Sequence, residues 1–380
     1  MMTPMVRLYG RGVGHGSHAQ VTAGFRSALE HAGILAGFVA FDCDPPPDEP
    51  QPGGALAPRA VFTGPLGFLP AMRRGTRHAE RYAMLAPNST FVPGNLMMAL
   101  EQLCTEILVP SQWALDIVEE NTSVSVRVVP HGVAPGFTDK LELRAAARAA
   151  YRRSEFDVLH LSSTAYDRKG TLALLTAWGM LMAKGELPQE SRLRLVLEIE
   201  AMSKTMAWMA ENTAALALQN VFVTARMDAS PDRLAETYSS HHVVCQPSRG
   251  EGFGMVPLEA LACGVPIVAT ACTGHSQWFA RGLPGAVPVE HGSVMPIDDG
   301  PGALAPSVEP DAIAAALRAA YSGWEHLDRA ADGHAAAMRA DWSWSRQLAP
   351  FMAVLSSPVE ADEWPKPPQQ SIGSIGDDER

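Results

Sequence analysis

The chain predicts two doubly wound α/β units, each a mostly parallel sheet covered by helices on both faces, set against each other across a cleft. Three observations carry this. Short apolar runs alternate with amphipathic stretches along most of the 380 residues, as strand–helix–strand units do. The series breaks at residues 126–139 (VRVVPHGVAPGFTD), where Pro130, Gly132, Pro135 and Gly136 interrupt both periods, and then starts again. Near residue 250 a buried strand, a glycine-rich turn and a helix follow one another directly. In open α/β sheets that layout sits at the carboxyl ends of the strands, where ligands bind.

In order, residues 6–9 form a first strand, followed by GRGVGHGSHAQ and a helix with Val21, Phe25 and Leu29 on one face. Residues 35–41 make a second strand. The proline-rich, acidic stretch after it (DCDPPPDEPQPGGALAP) reads as a surface loop. Strands fit 60–63, 82–85 and 106–109, and helices fit 96–103 and 113–120. After the break, strands fit 158–161, 193–197, 221–224, 242–246 and 266–270. Helices fit 171–182, 231–239, 257–263 and 312–321. From Ser357 the chain turns proline-rich, polar and acidic, which predicts a disordered tail. The division is then 1–130 for the first unit, 131–341 for the second, 342–356 for a returning segment and 357–380 for the tail.

Composition narrows the function. Hydrophobic residues make up 47% and charged residues 19%, which suits a globular chain with a sizeable core. No apolar run reaches the ~18 residues of a membrane span. The first twelve residues carry two arginines and no long apolar core, so no leader is expected. Five cysteines without a Cys-x-x-Cys pair suit a reducing cytoplasm and argue against structural zinc. A net charge of -11 speaks against bulk binding to nucleic acid or anionic membrane. The last 24 residues hold six acids and two bases, however, so part of that excess belongs to the tail. Residues 72–81 (MRRGTRHAER) hold four arginines, either a solvated face or a basic patch.

The chemistry concentrates in residues 245–270 (CQPSRGEGFGMVPLEALACGVPIVAT). Glycines let backbone amides approach a ligand closely, and Pro257 suits the first turn of a helix. A helix N-terminus there offers N–H groups and a positive dipole end to a phosphate. Glu251 precedes the helix and Glu259 is expected in its first turn. Both can face one crevice, and each carboxylate can accept from vicinal hydroxyls of a sugar ring. The spacing alone is common, and first-turn acids also merely favour the dipole; the glycines, the aromatic residue and the following buried strand favour a nucleotide-sugar site.

At these residues the chain resembles the family-4 retaining glycosyltransferases of the two-Rossmann GT-B fold, whose signature EGFGxxxLEAxAxGxPVVA is matched by EGFGMVPLEALACGVPIVAT. VPSQWALDIV with VRVVPHGV, DRKGTLALLTAW, ATACTGHSQWF and ADWSWSRQLAPFMAVL resemble further family segments. The resemblance implies that Glu251 contacts donor-sugar hydroxyls and that Phe253, Gly254, Met255 and Val256 line sugar and diphosphate, largely through amides. It implies that Glu259 holds the ribose, that Lys169 neutralises the diphosphate, and that Gly12 and Gly14 approach from across the cleft. The family's usual arginine ahead of the lysine is absent. Ser163 and Thr164 stand in that region, and Arg168 is the candidate substitute. The family's acceptor-side histidine has three candidates, His15, His78 and His131. Retention at the anomeric carbon is likewise implied by the family.

The expected activity is transfer of a sugar from a UDP- or GDP-linked donor to an acceptor hydroxyl, with the nucleotide sugar as co-substrate and neither cofactor nor metal required. Competing readings are a phage-type enzyme glycosylating hydroxymethylated bases in DNA, a non-catalytic nucleotide-sugar-binding module, and a nucleotide-sugar epimerase. GRGVGHGSHAQ alone reads equally as a surface turn. His241 and His242 read as the end of a helix, Trp342 and Trp344 as packing of the returning segment, and Cys263 as core.

Overall fold

The computed structural model describes residues 6–12, 17–40, 57–63, 78–162, 168–216, 218–225, 230–298 and 300–358. Its first sheet contains β1 (Val6–Gly10), β2 (Leu35–Ala40), β3 (Arg59–Thr63), β4 (Glu80–Met84), β5 (Glu106–Val109) and β6 (Ser125–Val128). All neighbours are parallel, in the order β2-β1-β3-β4-β5-β6. Among the described residues the helices of this half are α1 (Ser17–His31), α2 (Gly94–Leu103) and α3 (Gln112–Glu119). They cover opposite faces: α1 packs Val21, Phe25 and Leu29 beside Val6 and Leu8, while α2 and α3 pack Leu96, Leu100, Ala114 and Val118 beside Phe62 and Ile107. Burial on both faces is why these strands read as apolar runs.

The second sheet contains β7 (Asp157–Ser162), β8 (Arg192–Leu197), β9 (Val221–Ala225), β10 (Val243–Gln246), β11 (Ile267–Thr270) and β12 (Ala286–Val289). It is also all parallel, ordered β12-β11-β10-β7-β8-β9. The chain moves outward from β7 to β9, returns to pair β10 with β7, and moves outward the other way. The switch point therefore lies between β7 and β10, where a ligand crevice opens at the carboxyl ends. The helices here are α4 (Leu141–Arg152), α5 (Thr171–Ala183), α6 (Ile199–Leu216), α7 (Pro231–Ser239), α8 (Met255–Ala262), α9 (Ser276–Ala280), α10 (Pro310–Ser322) and α11 (Trp324–Asp341). An antiparallel hairpin, β13 (Val294–Pro296) with β14 (Leu304–Pro306), stands apart from the sheet.

Several elements differ from the sequence reading. The run at 126–139 opens with a strand: Ser125–Val128 pairs with β5, and the break begins only after it. Helices α4, α6, α9 and α11, strand β12 and the hairpin are not in the sequence reading. Helix α8 begins at Met255, two residues earlier than Pro257, because Gly254 caps it in the left-handed region (φ 94°). Glu259 therefore lies in the second turn, and the helix has no acid in its first. The expected disordered tail falls, from residue 359, outside the described residues.

The last helix, α12 (Trp344–Leu355), crosses back onto the first half. Trp344, Leu348, Phe351 and Leu355 join the core formed with Phe25 and Tyr82. The Trp344 ring lies over Gly24, where any β-carbon would collide with it. Arg59, fully enclosed at the start of β3, donates to Leu355 O (2.7 Å) and Ser357 O (2.6 Å). It thereby satisfies carbonyls that a helix end leaves open. Trp342 packs instead in the second core, beside Phe253 and Trp278, so two tryptophans separated by Ser343 anchor one connection in both halves.

Candidate active site

Two loops leave the switch point. The loop after β7 ends in Arg168 and Lys169, and Gly170 (φ 70°) then starts α5. The loop after β10 carries Gly250–Gly254 into α8. They meet in charge: Lys169 Nζ donates to Glu251 Oε1, and Arg168 Nη1 lies 3.8 Å from the same oxygen. Burial alone would raise the Glu251 pKa, but Lys169 first and then Arg168 and His275 outweigh it and hold the carboxyl at about 2. Glu251 is thus ionised throughout the ordinary pH range, among more positive than negative charge.

The four carbonyls of the Gly250–Phe253 turn are all engaged by the protein. Gly250 O accepts from Arg168 Nη1 (2.6 Å) and Glu251 O from the Gly274 amide (2.7 Å). Gly252 O accepts from Ser111 Oγ (2.7 Å) and Phe253 O from Gln277 Nε2 (2.9 Å). The donors come from different elements, Ser111 from the first half and Arg168, Gly274 and Gln277 from the second, so the turn is pinned from several sides. The Glu251 amide is taken by Thr273 Oγ1 at 3.1 Å. The N-terminus of α8, opened by Gly254 in the left-handed region, offers main-chain N–H groups and the positive end of the helix dipole to an anion.

The glycines of this turn answer to the opposite half. A β-carbon at Gly250 would run into Asn88 O, and one at Gly252 would come within 2.9 Å of Pro87 O. Ser111 adds the cross-half hydrogen bond, and its Oγ also caps α3 by accepting from Ala114 N (3.2 Å).

Beneath the site, His160 on β7 donates through Nδ1 to Cys245 O (2.9 Å), and its Nε2 meets Thr171 Oγ1 (3.0 Å) at the start of α5. Burial lowers its pKa to about 4, so the ring is neutral. His275, also enclosed, is lowered by burial to about 4 although Glu251 opposes the shift. Its ring packs over Gly254, which has no room for a side chain.

The structure thus brings Lys169, Arg168, Glu251 and Gly254 together. Arg168 turns its guanidinium to Gly250 O and Glu251. Phe253 buries its ring against His131 (centroids 5.0 Å) and Trp278 (5.2 Å). Met255 packs between both cores, and Val256 against the second. Glu259 is buried, with Oε2 accepting from Tyr238 Oη at 2.6 Å. Gly12 lies exposed past the carboxyl end of β1. Gly14, His15, Ser163 and Thr164 lie outside the described residues.

His131 is enclosed between Phe253 and Trp344, and burial lowers its pKa to about 3. His78 stands ahead of β4, at the amino ends of the strands. It bonds Tyr9 Oη (3.0 Å) and Ala57 O (2.7 Å), away from the Glu251 cluster. His241 and His242 follow α7. His242 accepts from Asp157 N (2.7 Å) and donates to Ala147 O (2.9 Å), a packing role. Of the arginine-rich run, residues 72–77 lie outside the described residues. Arg81 donates to His78 O (2.8 Å) and Leu103 O.

Ser111, Thr273, His275 and Gln277 were not singled out from sequence. Their common signal is proximity in chain to recognised segments, since each lies within or beside VPSQWALDIV or ATACTGHSQWF. Among the described residues no helix is long and apolar enough to cross a membrane.

Known proteins resemble this chain in sequence or in fold. The D-inositol 3-phosphate glycosyltransferase of Kribbella flavida is 44% identical over 72 residues, 19% of this chain and 16% of that protein. The protein of the same description from Geodermatophilus obscurus is 35% identical over 127 residues, 33% of this chain and 24% of its own length. The chain thus spans a quarter or less of the curated relatives it matches. Among solved structures, HepE of Anabaena, crystallised with UDP and glucose, superposes with a TM-score of 0.64 at 15% identity, covering 92% of this chain and 100% of its own. That likeness carries the fold, and the fold is GT-B. The family described as family 4 glycosyltransferase in conflict systems matches residues 112–351, well over half of the chain, and the chain belongs to that family.

Proposed function

We propose that this protein transfers a sugar, with retention at the anomeric carbon, from a nucleoside-diphosphate sugar to an acceptor hydroxyl. The observation that carries the proposal is the convergence of Lys169 and Glu251, from separate loops, at the glycine turn that opens α8. The leaving group of such a reaction is a nucleoside diphosphate, and its developing charge is what the site must stabilise. Cations and amides fixed in a buried crevice do this without reorganising. Lys169 and Arg168 supply the cations, and the N-terminus of α8 supplies the dipole. This set provides the positive charge itself, and the proposed reaction uses no metal.

Glu251 takes hydroxyls of the donor sugar, and Glu259, oriented by Tyr238, takes those of the ribose. The donor is a UDP- or GDP-sugar. HepE supports the choice of a nucleotide sugar, as it is described in complex with UDP, with UDP-glucose, and with UDP and glucose. The protein works in the cytoplasm, in keeping with the buried free thiols of Cys104, Cys245, Cys263 and Cys272.

The test is turnover with UDP-glucose, UDP-N-acetylglucosamine and GDP-mannose, followed by nucleoside diphosphate release. Glu251→Gln and Lys169→Ala are each expected to lose 100- to 1000-fold, about 3–4 kcal/mol of transition-state stabilisation, while circular dichroism shows an unchanged fold. Near-normal turnover in both variants sinks the proposal. EDTA is expected to leave wild-type turnover unchanged.

A further inference from the structure

Among the described residues three non-glycine residues have a positive φ: Ser154, Asn220 and Thr273. Asparagine tolerates that region, and Ser154 lies in an exposed turn after α4. Thr273 (φ 50°) is the β-branched one, the type that bears the largest steric penalty there. It is buried and opens the short turn Thr273–His275 between β11 and α9. Strain retained in a buried turn points to a use for that side chain.

The use is visible in its bonds. Thr273 Oγ1 accepts the amide of Glu251 (3.1 Å), and the next residue, Gly274, donates its amide to Glu251 O (2.7 Å). Both main-chain polar groups of Glu251 are thereby held by two consecutive residues of one turn. The turn is itself braced. Ser276 Oγ donates to Thr273 O (2.6 Å), and Gln277 Nε2 donates to Gly274 O (2.8 Å) as well as to Phe253 O. Gly274 lies so close to the Gly252–Phe253 backbone that a β-carbon would come within 2.6 Å of it. A glycine at position 273 would remove the strain, but it would also remove the acceptor for the Glu251 amide.

We infer that Thr273 is a positioning residue for the transfer reaction, its hydroxyl fixing the backbone of Glu251 so that the carboxylate meets the donor sugar at the required angle. The inference rests on the proposed role of Glu251. Small displacements of a reacting-centre contact cost one to two orders of magnitude in rate, and they act on kcat when the contact matters mainly in the transition state.

The experiment compares the full-length wild type with Thr273→Val, Thr273→Gly and Thr273→Ser, with Glu251→Gln as control. The donor is whichever of the three nucleotide sugars named above the wild type turns over fastest, and kcat, KM and Tm are read for each variant. Val keeps the shape and loses the acceptor, so a 10- to 100-fold fall in kcat is expected, with KM within threefold and Tm within about 3 °C. Gly relieves the strain and is expected to stay folded with the same loss in kcat, and it decides the matter if the Val variant does not fold. Ser keeps the hydroxyl and is expected within threefold of wild type. Wild-type kcat in both Val and Gly variants, with Glu251→Gln impaired, overturns the inference alone. A lower Tm with unchanged kcat per folded molecule does the same, since that is a structural role. Near-normal turnover by Glu251→Gln overturns the site reading beneath it.

Discussion

Each half of the molecule holds a cation against a carboxylate between neighbouring parallel strands or the loops that leave them, but at opposite ends of its sheet. In the first half Arg59 and Glu80 open β3 and β4, are register partners, and bond through Nε at 2.5 Å. In the second half Lys169 and Glu251 sit in the loops that leave β7 and β10. The first pair lies at the amino ends, where Arg59 spends its remaining donors on the carbonyls of the last helix. The second lies at the carboxyl ends, beside glycines and amide dipoles. A parallel sheet places loop-borne polar groups at its carboxyl edge and encloses its amino edge. The same chemical pair is therefore structural at one end and available to a ligand at the other.

Acid gives the largest expected effect and separates the two ends. Glu251 is held at about 2, so its pair survives mild acid. Neutral histidines do not. His160, His241, His242 and His275, all buried in the second half, have pKa values lowered to about 4. In the unfolded chain they titrate near 6.5. Between those values the unfolded state binds more protons, so stability falls as pH drops from about 6.5 to about 4 and this contribution levels off below it. At pH 5 each such histidine costs on the order of 2 kcal/mol. Tm should decline steadily over that window, and His160→Gln should make the decline shallower. A Tm that stays flat between pH 6.5 and 4.5 contradicts the enclosed, neutral state of these rings.

Arg59→Met tests the amino-end pair. Removing one member leaves Glu80 partly buried without its cation and uncaps α12. A loss of about 3 kcal/mol is expected, read as a Tm lower by roughly 6–10 °C. kcat per folded molecule should stay within twofold, the opposite of Lys169→Ala. If Arg59→Met instead lowers kcat tenfold at unchanged Tm, the assignment of structure to the amino ends and function to the carboxyl ends fails.

The residues legible in the sequence were those whose signal is local. Strand, glycine turn and helix follow one another between Val243 and Ala262, so the positions of Glu251 and Gly254 could be read directly. Lys169 came from its own segment, and the topology then brought it to Glu251. Partnerships that span the chain were not legible. Ser111 and Gly252 are 141 residues apart, and Arg59 and Leu355 are 296. No periodicity encodes such pairs; they arise only after both sheets have formed. Helix α4 (LELRAAARAAYR) escaped notice for another reason. It is rich in alanine and arginine, and its buried face is made by Ala147, Ala150 and the enclosed Arg144, which binds Asp328 of α11. An apolar stripe built from small residues and a paired cation does not stand out in the sequence.

Ser111→Ala gives the smallest expected effect and bears on how the halves cooperate. Ser111 belongs to the first half, yet its hydroxyl serves two masters: it accepts from Ala114 N to cap α3 and donates to Gly252 O beside Glu251. Loss of the cap costs about 1 kcal/mol, or a Tm lower by roughly 2–4 °C. Loss of the second bond leaves Gly252 O buried without that donor and lets the Gly252–Phe253 peptide turn beside the N-terminus of α8, where the donor diphosphate is proposed to bind. A three- to tenfold fall in kcat is expected on top of the stability loss. Ser111→Thr should restore both, since it keeps the hydroxyl. If Ser111→Ala lowers Tm but leaves kcat untouched, the bond across the halves is merely adhesive, and the donor turn takes its shape from the second half alone.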